Sequence, residues 1–96
     1  MIKHVVCFKL KDPSEENCLK AKEVLLSMQG KVEMLRSIEV GVDFLHSGRS
    51  FDLILITAFD SKEDLEAYQS HPYHVEVVKK HMHRVRSDSV AVDWEV

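Results

Sequence analysis

The chain has few covalent or conformational restraints. Cys7 and Cys18 are its only cysteines in 96 residues, so no disulfide framework holds it together. That usage fits a reducing, cytoplasmic compartment. Three glycines and two prolines are scattered singly, which leaves no linker, repeat or low-complexity tract. No apolar run exceeds four residues (Leu53 to Ile56 is one), far short of a membrane span. The opening Met1-Ile2-Lys3-His4 leads into strand alternation, unlike a signal peptide. Charge of the sign that binds phosphates is also lacking. Thirteen Lys and Arg against sixteen Asp and Glu give a net charge of −3, which argues against nucleic acid as a partner. There is no Gly-rich phosphate loop and no hydrolase nucleophile elbow.

What remains is an ordinary globular mix, 45% hydrophobic and 30% charged, long enough for one domain over residues 1–96. Six histidines stand out in so small an acidic chain. Their full protonation would carry the formal charge from −3 to +3.

Ile2, His4, Val6, Phe8 and Leu10 alternate with Lys3, Val5, Cys7 and Lys9, which predicts a strand. Asp12-Pro13-Ser14-Glu15 then opens a helix, with Asp12 as cap and Pro13 at the first helical position. Cys18, Ala21, Leu25, Met28, Val32 and Leu35 form its apolar stripe, and Gly30 ends or kinks it. Ile38 to Phe44 and Phe51 to Phe59 read as strands around a polar turn at residues 46–50. Ser61 caps a second helix. Pro72 breaks it and begins a third, with Val75, Val78, Met82 and Val85 on one face. Ser87 to Val96 closes the chain as a strand with Val90, Val92, Trp94 and Val96 on one side, and Trp94 reads as a core or pocket-wall aromatic. Two helical crossovers around a central hairpin predict an α+β, ferredoxin-like split βαβ fold: a four-stranded antiparallel sheet with helices on one face.

The uncovered face of that sheet carries a second prediction. Ile54, Ile56 and Ala58 point away from the heavy side of the third strand. Val5, Cys7 and Ala91 are the expected apolar members of the lighter faces of the first and last strands. Lys3, Lys9, Asp93 and Glu95 would form a charged margin. An apolar centre with a charged rim reads as an interface, and the reading is a homodimer packed sheet to sheet.

The densest polar chemistry is Tyr68-Gln69-Ser70-His71-Pro72-Tyr73-His74. The Pro72 corner brings Tyr68, at the end of one helix, towards His74, at the start of the next. A neutral imidazole accepts a proton near pH 7, and a phenol polarises a carbonyl oxygen. The positive helix N-terminus is expected to depress the His74 pKa. His4, on the apolar side of the first strand, points towards the same cavity. Lys79-Lys80 and Arg84-Val85-Arg86 read as the solvated end of the third helix.

These stretches, together with Phe8-Lys9-Leu10-Lys11-Asp12, Phe59-Asp60-Ser61 and Val92-Asp93-Trp94, resemble the stress-responsive A/B barrel (Dabb) domain over essentially the whole chain. The Tyr-x-x-His-Pro-x-His corner is the most specific part. The resemblance implies a dimeric α+β barrel without a cofactor. Most members of that family have no assigned reaction. One branch similar in the corner consists of plant polyketide cyclases of the olivetolic acid type, which close a linear polyketide by intramolecular aldol condensation. For this chain that resemblance implies His74 as catalytic base and Tyr68 as its catalytic partner, with His4 and His71 as substrate-binding residues. The ligand would be small, apolar or carbonyl-containing. One departure is plain: residues 14–35, where the cyclases place pocket aromatics, contain no Phe, Tyr or Trp. A metal centre is not expected, because His81 and His83 diverge on a helix and the cysteines have no paired spacing.

Overall fold

Four strands and three helices form the fold, in the order β1 (Ile2–Leu10), α1 (Glu15–Leu26), β2 (Ser37–Val42), β3 (Leu53–Phe59), α2 (Lys62–Gln69), a π-helical segment (His74–Lys79), α3 (Lys80–Val85) and β4 (Arg86–Glu95). The computed structural model covers Met1–Val96. The strands pair antiparallel in the order β2-β3-β1-β4. This is the ferredoxin-like α+β arrangement expected from the order of elements.

The helices start where short side chains satisfy free backbone N–H groups. Ser14, and not Asp12, caps α1: its hydroxyl accepts from the Asn17 N–H at 3.2 Å. Asp12 instead offers its carbonyl to the Asn17 amide. Ser61 caps α2 by accepting from the Asp64 N–H at 3.1 Å. α1 ends at Leu26, and an irregular turn carries Met28 and Val32 into the core, with Gly30 at φ +83°.

β2 and β3 are shorter than their apolar composition predicts. Phe44 and Phe51 fall in the connection between them. There the Asp43 carboxylate accepts from the His46 N–H at 2.7 Å, and His46 takes a left-handed φ of 54°. That local turn ends the pairing before the aromatics reach it.

The core lies between one face of the sheet and the helices. Ile2, Phe8, Leu10, Leu53, Leu55 and Phe59 from the sheet meet Cys18, Ala21, Leu25, Tyr68, Val78 and Met82. The third helix follows the expected face at Val78, Met82 and Val85 but not at Val75. Val78 and Met82 are buried, but Val75 is 41% exposed and His74 takes the inward position. A π turn at residues 74–79 widens the helix, so the 3.6-residue spacing that included Val75 no longer applies.

The last strand is also turned over relative to the expected facing. Its register pairs His4 with Asp93 and Val6 with Ala91 on the helix side. Val5 pairs with Val92, Cys7 with Val90 and Lys3 with Trp94 on the open side. Paired residues share a face, so Val90, Val92 and Trp94 join Val5, Cys7, Ile54 and Ile56 on the uncovered surface. They are 51%, 63% and 46% exposed, and Trp94 is not core but borders a separate surface pocket with Ile2, Lys62 and Leu65. Asp93 and Glu95 leave the expected rim for the helix side. Period two makes the two facings equivalent in sequence, and a one-residue choice flips every side chain. The apolar open face is therefore larger than the alternation alone predicts.

Candidate functional site

Three of the four expected site residues converge. His4 stands in the middle of β1, Tyr68 in the last turn of α2 and His74 at the start of the π-helical segment. The Tyr68 and His74 rings stack with centroids 4.1 Å apart at 26°, and His4 meets the Tyr68 ring edge-on at 6.0 Å. Phe59 backs Tyr68 at 5.0 Å. Tyr68 is 1% exposed, and His4 and His74 are each 7% exposed. The three line one cavity of about 240 Å³ whose other walls include Val6, Phe8, Leu25, Leu55, Val78 and Met82.

His71 has a different place. Its Nδ1 accepts from the Tyr73 N–H at 3.1 Å, and its Nε2 lies 3.2 Å from a Glu33 carboxylate oxygen. It holds the corner from outside and does not line the cavity. Tyr73 points back to α1, its hydroxyl donating to Ser27 Oγ at 2.7 Å. The corner thus ties the turn after α1 to the start of the third helix and fixes where His74 enters.

Burial governs the chemistry of the cluster. It pushes the Tyr68 phenol well above its usual range, so the hydroxyl stays protonated. It also pushes the His74 imidazole down to about 4, with the Lys79 ammonium adding to the effect. The depression expected from the helix N-terminus is thus present but has another origin: desolvation first, then a cationic neighbour. Backbone carbonyls of Gln69 and Tyr68 oppose it only in part. His74 is neutral at pH 7, and its buried Nδ1 has no hydrogen-bond partner within the chain. A buried polar atom without a partner is uncommon, and the carbonyls of Gln69 and Tyr68 are the backbone groups that act on this ring.

Four residues of the site escape a linear reading. Asp93 accepts a hydrogen bond from His4 Nδ1, which fixes the ring and leaves Nε2 to face other groups. Lys79, His83 and Arg86 line the cavity mouth and are not merely the solvated end of a helix, whereas Lys80 and Arg84 are exposed as expected. In a regular α-helix, His74 and Lys79 would lie about 140° apart around the axis. The π turn brings both to the cavity. Arg86 is re-aimed by an irregularity between Lys9 and Leu10, where the register passes from Lys9–Asp88 to Leu10–Arg86 and skips Ser87. Without that bulge Arg86 would face the open side with Val90 and Val92. Neither irregularity has a residue signature.

The fold agrees with what the chain is similar to. The family model for the stress responsive A/B barrel domain matches residues 2–96, and the chain belongs to that family. Two stress-response A/B barrel domain-containing proteins of Arabidopsis thaliana are each 32% identical to it over 98% of its length. The chain spans only 36% and 46% of those relatives. Among solved structures, a dimeric protein of unknown function with a ferredoxin-like fold from Bacteroides fragilis is 29% identical. It superposes with a TM-score of 0.81 over 99% of this chain and 95% of its own. The family has the expected fold, and no specific role comes with it. No helix is long and apolar enough to cross a membrane.

Proposed function

We propose that this protein is a homodimeric A/B barrel that binds a small, largely apolar molecule between the sheet and the helices of each subunit. The observation that carries the binding half is the cavity itself, about 240 Å³ between sheet and helices, with His4, Tyr68 and His74 converging on a largely apolar lining. The dimer half rests on the open face, where Val5, Cys7, Ile54, Ile56, Val90, Val92 and Trp94 form one apolar surface. A stable interface covers about 800 Å² per partner, which one face of a four-stranded sheet can supply. The dimeric relative from Bacteroides fragilis supports the same assembly. The free thiols of Cys7 and Cys18 support a cytoplasmic location.

The test is a two-dimensional NMR titration with small apolar carbonyl compounds. Shifts confined to His4, Tyr68, His74 and their neighbours are expected. Unchanged spectra at millimolar ligand across such a set would refute the binding reading.

A second reading is favoured by the convergence of an Asp-oriented imidazole, a protonated phenol and a neutral imidazole in one cavity. In it the cavity performs cofactor-independent proton transfer next to a carbonyl, the chemistry of aldol cyclisation. His74 breaks a C–H bond and takes the proton, and the electron pair moves to the carbonyl oxygen, which accepts a hydrogen bond from Tyr68. Against it stands the weakness of an imidazole held at about 4 as a base at neutral pH. Deuterium exchange next to the carbonyl of a bound ketone separates the readings. Exchange lost in His74→Ala supports catalysis, and no exchange above buffer supports binding alone.

A further inference from the structure

The walls of the cavity are apolar, but its mouth carries charge of one sign only. Lys79 and Arg86 both line it, and no Asp or Glu does. Both are partly buried, and neither has a carboxylate within ion-pair distance. Lys79 has only a backbone partner, the Gln69 carbonyl at 3.3 Å. The carboxylate of Asp93 is engaged by His4 and does not line the cavity. Lys3, Lys9 and Lys22 are likewise partly buried without an acidic partner, but Lys79 and Arg86 are the two that line this cavity. Removing charge from water costs free energy unless a counter-charge compensates. Both are also placed by departures from regular structure, Lys79 by the π turn and Arg86 by the β-bulge. Such departures are over-represented where a side chain must be re-aimed at a functional site.

We propose that the ligand is an apolar carboxylate: a molecule whose anionic head is held by Lys79 and Arg86 at the mouth while its body lies among Val6, Leu25, Leu55 and Met82. This rests on the binding reading above and adds the chemical class. An Arg guanidinium and a Lys ammonium converging on one opening suit a carboxylate, the guanidinium by two parallel hydrogen bonds and the ammonium as a point charge. The volume limits the body to something smaller than a drug-sized ligand. The neutral imidazole of His74 lines the same cavity beside the Tyr68 ring. An anion at Lys79 also offsets the cation that disfavours protonation of His74, so a bound carboxylate raises the proton affinity of that ring.

The experiment compares three probes on the intact protein by NMR titration and calorimetry: benzoate, its neutral isostere benzamide, and inorganic phosphate. Benzoate is expected to bind at least tenfold tighter than benzamide and tighter than phosphate, and to weaken with added salt. Lys79→Gln and Arg86→Gln should each weaken benzoate about tenfold while leaving benzamide unchanged. The salt dependence of the unaltered protein decides the same question should either variant fold poorly. Equal binding of benzamide and benzoate, or indifference of benzoate to both substitutions and to salt, overturns the carboxylate assignment and leaves the cavity reading intact. Phosphate binding as tightly as benzoate overturns it too, since the apolar body then contributes nothing. Failure of benzoate and benzamide alike to perturb cavity residues of folded protein removes the binding reading itself.

Discussion

Val92→Glu tests the open face with little interference from folding. Val92 is 63% exposed in the single chain and lies opposite Val5, which in turn pairs with Ile56. A substitution at so exposed a position costs an isolated subunit about 0.5 kcal/mol or less. In a sheet-to-sheet homodimer the same position is covered. Each copy then loses burial of most of a valine side chain, about 1–2 kcal/mol. Each also places a carboxylate where water is excluded, at a cost of several kcal/mol before relaxation. Two-fold symmetry counts every change twice. Even about 3 kcal/mol per copy gives about 6 kcal/mol per dimer, or about four orders of magnitude in the dissociation constant. Sedimentation equilibrium at micromolar concentration is therefore expected to show a dimer for the unaltered chain. The variant should run near the 11.1 kDa of a single subunit. Circular dichroism should show the fold unchanged. A variant that dimerises as tightly as the parent refutes the assignment of this face, and a parent that is itself monomeric refutes the assembly.

Three further outcomes follow from the cavity. His74 binds its proton less well folded, at about 4, than unfolded, near 6.5, so the unfolded chain holds more protons between those values. Stability should fall as pH drops from about 6.5 to about 4, and His74→Asn should flatten that slope in urea titrations read at several pH values. Tyr68→Ala removes a 1%-exposed ring packed on Phe59 and His74, and should cost about 3–5 kcal/mol by the same method, whereas Tyr68→Phe keeps the packing and should cost far less. Asp93→Asn should release the His4 ring from its fixed tautomer, seen as altered nitrogen shifts of His4 with little change in the rest of the spectrum.

Much of the site was legible because its residues belong to regular local patterns. Tyr68 and His74 flank a proline whose effect on the backbone is local and fixed, so their convergence follows from a seven-residue stretch. His4 lies on the apolar side of an unambiguous alternation. His71 belongs to the same stretch, yet its ring turns to Glu33 and the Tyr73 N–H, because which way a corner residue points depends on elements distant in sequence. Asp93, Lys79 and Arg86 were hidden for related reasons. Each reaches the site through an antiparallel register, a π turn or a bulge, and such features arise from how elements dock.

The sequence alone determined the order of elements, since alternation, helical stripes, the Ser61 cap and the Pro72 corner act within a few residues of themselves. It determined too that one sheet face would be left apolar and uncovered, because three helices in such an order cover one side. Only the tertiary structure decided which side of β4 that face takes, and therefore that Trp94 looks outward while Asp93 meets His4. The physical reason is degeneracy: a two-residue period is unchanged by turning a strand over, and only pairing with a neighbour breaks the tie. The same holds for the cations at the cavity mouth, whose direction is set by one extra residue in a helix and one in a strand.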